Sequence, residues 1–240
     1  MSSPARSLYS RPEALGRIVD SINAQKPDLI CFTGDLVTEG VSEAEPFVDI
    51  LKRLRATDGV AAVFGNHDML IYNHRLKNEA EREREVERLA GFEREVLGWQ
   101  LLRNENIAIH RDSAQIHIIG VDNVSRGEEG FRTIDKGDLK RAVQNTDGFR
   151  ILLTHDPTHW REEVLPTTGI QLTLSGHTHS GQLRFFGRPA SAVSFSESEG
   201  WFQCGTRSQY INRGLGCTLP IRINCPGEIT VITLKAQRRP

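Results

Sequence analysis

Apolar positions along this chain follow two alternating rhythms. Leu15, Ile18, Val19 and Ile22 stand at helical spacing behind Pro12, and Ser10 with Glu13 forms a capping box, which predicts a helix. After Lys26-Pro27 the unalternating run Leu29-Ile30-Cys31-Phe32 predicts a short strand covered on both faces. Ser42 and Glu45 repeat the capping pattern ahead of Phe47, Ile50, Leu51 and Leu54, and Val60–Phe64 reads as a second strand. Further strands are expected at Gln115–Val121, Arg150–Thr154, Gln171–Leu174 and Ile229–Leu234, with a helix near Asp138–Gln144. This alternation predicts an α/β fold in layers with several parallel strands. From Glu79 to Glu95, Glu and Arg surround a thin stripe of Val86, Leu89, Phe92 or Glu93, and Val96, the pattern of a solvated, ion-paired helix.

Composition narrows the functional classes. A chain of 240 residues suits one large domain. With 30 Lys plus Arg against 31 Asp plus Glu, the net charge of −1 lacks the basic excess of a nucleic-acid binder. There is no apolar run of about 18 residues, and Met1–Ser10 has no signal-like apolar core, so the chain as given is expected in the cytoplasm. Cys31, Cys204, Cys217 and Cys225 form no C-x-x-C pair and are expected to be reduced and structural.

Candidate chemistry gathers where the strands stop. In open α/β sheets, ligand sites collect at the carboxyl ends of strands. Here the successive apolar runs break into Thr33-Gly34-Asp35, Gly65-Asn66-His67-Asp68, His155-Asp156 and Gly176-His177-Thr178-His179. Asp35 alone reads equally well as a carboxylate capping a turn. His177 and His179 reach one small region only if their turn is tight. As a set, these nitrogen and oxygen donors without thiolate suit Mn, Fe or Zn in a reactive site better than a closed structural zinc. Two divalent ions about 3.5–4 Å apart, bridged by a carboxylate, form the usual clamp for displacement at phosphorus.

In order and spacing, Gly34-Asp35, Gly65-Asn66-His67-Asp68, His155 and Gly176-His177-Thr178-His179 resemble the calcineurin-like metallophosphoesterase superfamily. Gly181-Gln182 and Arg213-Gly214-Leu215-Gly216 look like its bacterial subgroup of membrane-associated phosphodiesterases and UDP-diacylglucosamine pyrophosphatase-like proteins. The resemblance runs from about Ser10 onward and implies a β-sandwich of two mixed sheets flanked by helices. It implies a phosphodiesterase or pyrophosphatase with two divalent ions per site in the family, acting on a phosphorylated small molecule or lipid-linked substrate. By position, Asp35 bridges both ions, Asn66, His155 and His177 complete the shell of the second, and His179 belongs to the first. His67 lies beside the scissile phosphate, stabilising charge or protonating the leaving oxygen, and Asp68 holds its imidazole. Asp156 reads either as support for a ligand or as a cap for the segment around His159. His159, Trp160, His74, His110 and His117 are expected to be structural, and Phe185, Phe186, Trp201 and Phe202 to be core rather than a substrate wall.

One element of the family pattern is absent. The family opens with a strand ending in Asp-x-His, which supplies most ligands of the first ion. Met1–Ser10 contains no Asp, no His and no strand-like run, and the first helix has begun by Glu13. The expectation is a single domain over residues 1–240, N-terminally incomplete and lacking its first strand, that holds one ion instead of two. A chain beginning downstream of that strand is the favoured account, with any membrane-anchoring segment upstream. The rivals are a degenerate relative that binds a phosphorylated ligand with little turnover, and replacement of the ligands by His74, Asp156 or another chain. A missing strand also predicts an unpaired sheet edge.

Overall fold

Side chains that alternate across each strand divide the interior into separate cores, as a period of two requires. The structure, a computed structural model, describes residues 8, 9, 11–111, 114–124, 135–216 and 221–236. Strands β1 (Ile30–Phe32), β2 (Val60–Ala62) and β3 (Gln100–Leu101) form a three-stranded parallel sheet in that order. A six-stranded mixed sheet contains β4 (Glu105–Arg111), β5 (Ala114–Gly120), β6 (Phe149–Leu153), β7 (Leu172–Ser175), β10 (Gly200–Cys204) and β11 (Arg207–Ile211). Its order is β10-β11-β7-β6-β5-β4, parallel in the middle and antiparallel at both ends. The intervening β8 (Arg184–Phe185) and β9 (Arg188–Pro189) pair only with each other. Ala61, Val63, Leu102, Ile118, Ile151 and Leu153 pack between the two larger sheets. Ile30, Phe32, Val60 and Ala62 face the opposite way, onto helices, and Ile119 and Leu152 do the same on the far side of the second sheet. The result is the expected sandwich flanked by helices. Each of Ile118, Ile119, Leu152 and Leu153 is fully buried, a contribution of about 1.5–3 kcal/mol apiece.

The helices follow their apolar stripes with two exceptions. Helix α1 (Pro12–Ala24) buries Leu15, Val19 and Ile22, and its N-cap is Arg11; Ser10, the expected cap, lies outside the described residues. The segment behind Ser42 is not one long helix but two 3-10 turns, Val41–Glu43 and Glu45–Phe47, followed by the short α2 (Val48–Leu51). No side chain caps these turns, and Glu43, not Ser42, holds the chain that enters them, accepting the amides of Thr38 at 2.8 Å and Glu39 at 3.1 Å. Helix α3 (Glu79–Gly91) carries the expected ion pairs, including Arg88 with Glu85 and Glu45. It ends in a π-helical turn, Phe92–Val96, whose extra residue per turn shifts the face: Glu93 is buried and Val96 exposed.

Elsewhere, α4 (Leu139–Ala142) is capped by the Asp138 side chain. The expected strand at Ile229–Leu234 does not form. That segment joins no sheet among the described residues, although Ile229 and Ile232 pack onto different cores. β1 pairs only with β2 among the described residues, so one edge of the small sheet lies beside it. Cys31, Cys204 and Cys225 form no disulfide among the described residues, and Cys217 lies outside them.

Candidate metal centre

The strand ends of both sheets meet at one edge of the sandwich. β1 and β2 deliver the loops Thr33–Asp35 and Gly65–Asp68, while β6 and β7 deliver His155 and His177. Two close approaches make glycine obligatory there. A Cβ on Gly65 would stand 2.2 Å from Asp35 Oδ1, and one on Gly34, whose φ is 96°, would stand 2.5 Å from Gly65 N. Asp35, His177 and His179 themselves adopt left-handed backbone, with φ of 62°, 68° and 48°. Such strain persists only where the surroundings impose it, and it clusters at functional sites.

Asp68 ties the first two loops together. Its carboxylate accepts the amides of Asp35 at 2.6 Å, Gly65 at 2.9 Å and Val37 at 3.1 Å. It therefore does not serve as the expected holder of the His67 imidazole, whose Nδ1 is buried without a hydrogen-bond partner. The physical reason is reach: the turn that follows β2 folds Asp68 back onto the amides of its own loop and of β1's. Burial and the neighbouring Asp35 carboxylate push the Asp68 carboxyl up to about 7, against the pull of the Gly65 and Val37 amides. His67 is held instead by its backbone N–H, which donates to Asp35 Oδ1 at 2.9 Å, and by Tyr72, whose ring lies 4.7 Å away, centroid to centroid.

Three donor atoms converge beside the Asp35 carboxylate, which makes a fourth. His155 Nε2 lies 3.2 Å from Asp35 Oδ2 and 3.0 Å from Asn66 Oδ1. His177 Nδ1 lies 3.1 Å from Asn66 Oδ1 and 3.1 Å from His155 Nε2. Partners outside the cluster orient two of these donors. His155 Nδ1 meets the Thr33 carbonyl at 2.6 Å, so in the neutral ring the proton sits there and the lone pair of Nε2 points inward. Asn66 Nδ2 donates to Tyr72 Oη at 3.1 Å, which turns the amide oxygen toward the histidines.

Asp35, His155 and His177 alone already satisfy the spacing of a metal-binding group. Two imidazole nitrogens, an amide oxygen and a carboxylate oxygen crowded this closely are donors that one proton cannot serve together, whereas one cation can. Burial opposes the charge of Asp35, but the positive His155 ring and its hydrogen bond outweigh it and hold this carboxyl well below the usual range. Burial works against the His155 cation too, yet Asp35 raises it to about 9. Burial and then His155 lower His177.

His179, expected on the other ion, stands outside this cluster. Its Nδ1 faces the Arg213 carbonyl at 3.3 Å and Arg222 Nη2 at 3.4 Å. Burial, reinforced by the Arg222 guanidinium against the pull of Asp35, lowers its ring to about 4, so it stays neutral. Asp156 takes the capping role, accepting the Thr158 amide at 2.9 Å and hydroxyl at 2.7 Å. Neither Asp156 nor the exposed His74 joins the donor cluster. His159 and Trp160 are core, with His159 Nδ1 3.0 Å from Thr154 Oγ1. His117 is buried against Asp147, and His110 is exposed on β4. Tyr72, Phe195 and the Thr33 carbonyl escaped the sequence reading, because nothing in their spacing marks them. Phe195 packs edge-on against the His177 ring at 5.8 Å.

The sequence matches the calcineurin-like phosphoesterase family over residues 9–181. The chain belongs to this family. It is 34% identical to the uncharacterized metallophosphoesterase YkuE of Bacillus subtilis, over 96% of this chain and 76% of that one. It is 30% identical to the phosphodiesterase YaeI of Escherichia coli, over 94% of this chain and 78% of that one. The crystal structure of TT1561 from Thermus thermophilus shares the fold at a TM-score of 0.50 and 16% identity, covering 90% of this chain and 87% of that one. This phosphoesterase is thus a hydrolase of phosphate esters, in a family that works with divalent metal. No helix among its described residues is long and apolar enough to cross a membrane.

Proposed function

We propose that this phosphoesterase cleaves a phosphodiester or pyrophosphate with one divalent ion held by Asp35, Asn66, His155 and His177. The convergence of those four donors carries the reading. A Mn, Fe or Zn ion bound there would supply Lewis acidity toward a phosphoryl oxygen and activate water. The protein supplies the rest. Asp35 and Asp68 fix the two loops, and Thr33 and Tyr72 aim the donors. His67, half-buried and anchored through its amide on Asp35, is positioned at the rim to give a proton to the leaving oxygen or to neutralise its charge. His179 serves the bound phosphate, or a further ion where one is supplied. The substrate is a phosphorylated small molecule or a lipid-linked one.

The test is metal content per folded chain after reconstitution with Mn and desalting, paired with turnover of a chromogenic aryl phosphodiester. One ion per chain is expected, lost in Asp35→Ala and His177→Ala. His67→Ala should keep the ion and lose about 10²–10⁴ in turnover. Equal metal loss in all three variants would end this division of roles. Metal without turnover in the wild type would favour a protein that binds a phosphorylated ligand and does not cleave it.

A further inference from the structure

The segment just past the metal-binding turn shows its apolar side chains to solvent. β8 and β9 make a tight hairpin, with Phe186 and Gly187 at its tip in left-handed backbone. Phe186 is 107% exposed and Phe185 55%, so neither is the core residue that the sequence suggested. The following turn, Ala190–Val193, leaves Val193 92% exposed. A neighbouring stretch extends the set: Leu183 bridges Ile223, the Arg184 amide donates to the Ile223 carbonyl, and Ile221 and Ile223 are themselves exposed. Of the two arginines between Arg184 and Ser196, Arg184 is paired with Glu199, which leaves Arg188 as the exposed cation of a stretch that carries no acidic residue.

We propose that this tip docks the protein on an anionic membrane surface, inserting Phe186, Phe185 and Val193 at the headgroup boundary. The shape favours a bilayer. These side chains project from turns instead of lining a groove, so a folded partner would need a cavity matched to them, whereas lipid admits a projecting apolar group without one. The charge agrees, since Arg188 is exposed beside the apolar tip, where its stem can lie along the acyl boundary and its head reach lipid phosphate. The tip is also coupled to the site. The His179–Gln182 turn leads directly into the hairpin, and Phe195, two residues past Val193, lies against the ligand His177. Docking through this tip would bring the turn that carries His177 and His179 close to the layer in which lipid phosphodiesters stand. Only that consequence for substrate rests on the proposed hydrolysis; the docking itself does not.

The experiment is co-sedimentation of the full chain with vesicles of phosphatidylcholine, with and without phosphatidylglycerol. The wild type is expected to sediment with the anionic vesicles and to be released by salt. Phe186→Ser combined with Val193→Ser should lower the partition coefficient about tenfold or more. Its thermal midpoint and its turnover of a soluble aryl phosphodiester should stay at the wild-type level. Failure of the wild type to bind either vesicle would overturn the proposal, as would a double variant that binds as the wild type does. So would a concentration-dependent dimer of the wild type that the double variant abolishes, which would assign the tip to a second copy of this chain. Vesicle binding without aryl phosphodiester turnover would uphold docking and break the proposed function instead.

Discussion

Asp35, Asn66 and His155 at the strand ends are polar and almost wholly buried, whereas Phe185, Phe186 and Val193 in the adjoining hairpin are apolar and exposed. The two regions are joined by the short turn from His177 to Gln182. In the first, polar groups that leave water are met by partners from elsewhere in the fold: Thr33 for His155, Tyr72 for Asn66, backbone amides for Asp68. That satisfaction makes burial tolerable, since an unpartnered buried polar group costs about 1–3 kcal/mol. In the second region no segment among the described residues covers the exposed aromatic surface, and the cover proposed for it is lipid. Among the described residues, the groups that orient the cluster come from within the fold, and the hairpin tip has no cover.

The sharpest way to break this contrast is to spoil the close packing of the cluster. Gly65→Ala should abolish metal binding and destabilise the fold by about 1–3 kcal/mol, because the new Cβ meets Asp35 Oδ1 at 2.2 Å. Metal analysis and thermal unfolding would show both, and a fully active variant would refute the tight approach of the two loops.

A pH series sharpens it next. With His155 raised to about 9, the Asp35–His155 pair contributes its full stability below the ordinary imidazole range near 6.5 and loses it as pH rises through about 9. Chelated protein should therefore melt at progressively lower temperature across that window. Metal affinity should move the opposite way, strengthening as the competing proton leaves. Parallel slopes for the two measurements would contradict a shared site.

Tyr72→Phe probes the aim of the Asn66 amide. Losing the hydroxyl frees Asn66 to turn, and metal affinity should fall about tenfold, the lower end for groups that orient a ligand. Competition with a chelating dye measures this, while the melting temperature of the metal-free protein should hardly change.

The smallest effect is expected at Glu93, an exception to the rule of internal partners. Both of its carboxylate oxygens are buried without hydrogen bonds, and burial, then Asp68, raises its pKa well above the usual carboxylate range. A raised carboxyl costs stability as pH climbs above the unfolded value near 4.3. Glu93→Gln should therefore raise the melting temperature more at pH 8 than at pH 5, with a gain of about 1 kcal/mol at the higher pH. Equal gains at both would mean that Glu93 titrates as an ordinary surface carboxylate.

The donor residues were legible because each follows a short apolar run closely, so local pattern alone places Asp35, Asn66, His155 and His177 at strand ends. The role that the resemblance implied for Asp68 is not the one its contacts show. Its neighbour His67 stands next to it in sequence, but its hydrogen-bonding partners include amides 33 and 31 residues away. Ile229–Leu234 carries a strand-like run, yet a strand needs a ladder partner that no local pattern supplies.

By itself, then, the sequence determined the layered fold and the polar residues at its strand ends, since hydrophobic period and turn chemistry act over a few residues, and its motifs determined the family. Only the tertiary structure decided which way those donors point and which apolar groups stay uncovered. Orientation depends on contacts such as Thr33 with His155, 122 residues apart, and exposure on whether another segment arrives to cover a side chain. At Glu93 an added residue in one helical turn buried a carboxyl group, and at Phe186 no segment among the described residues came to cover a ring.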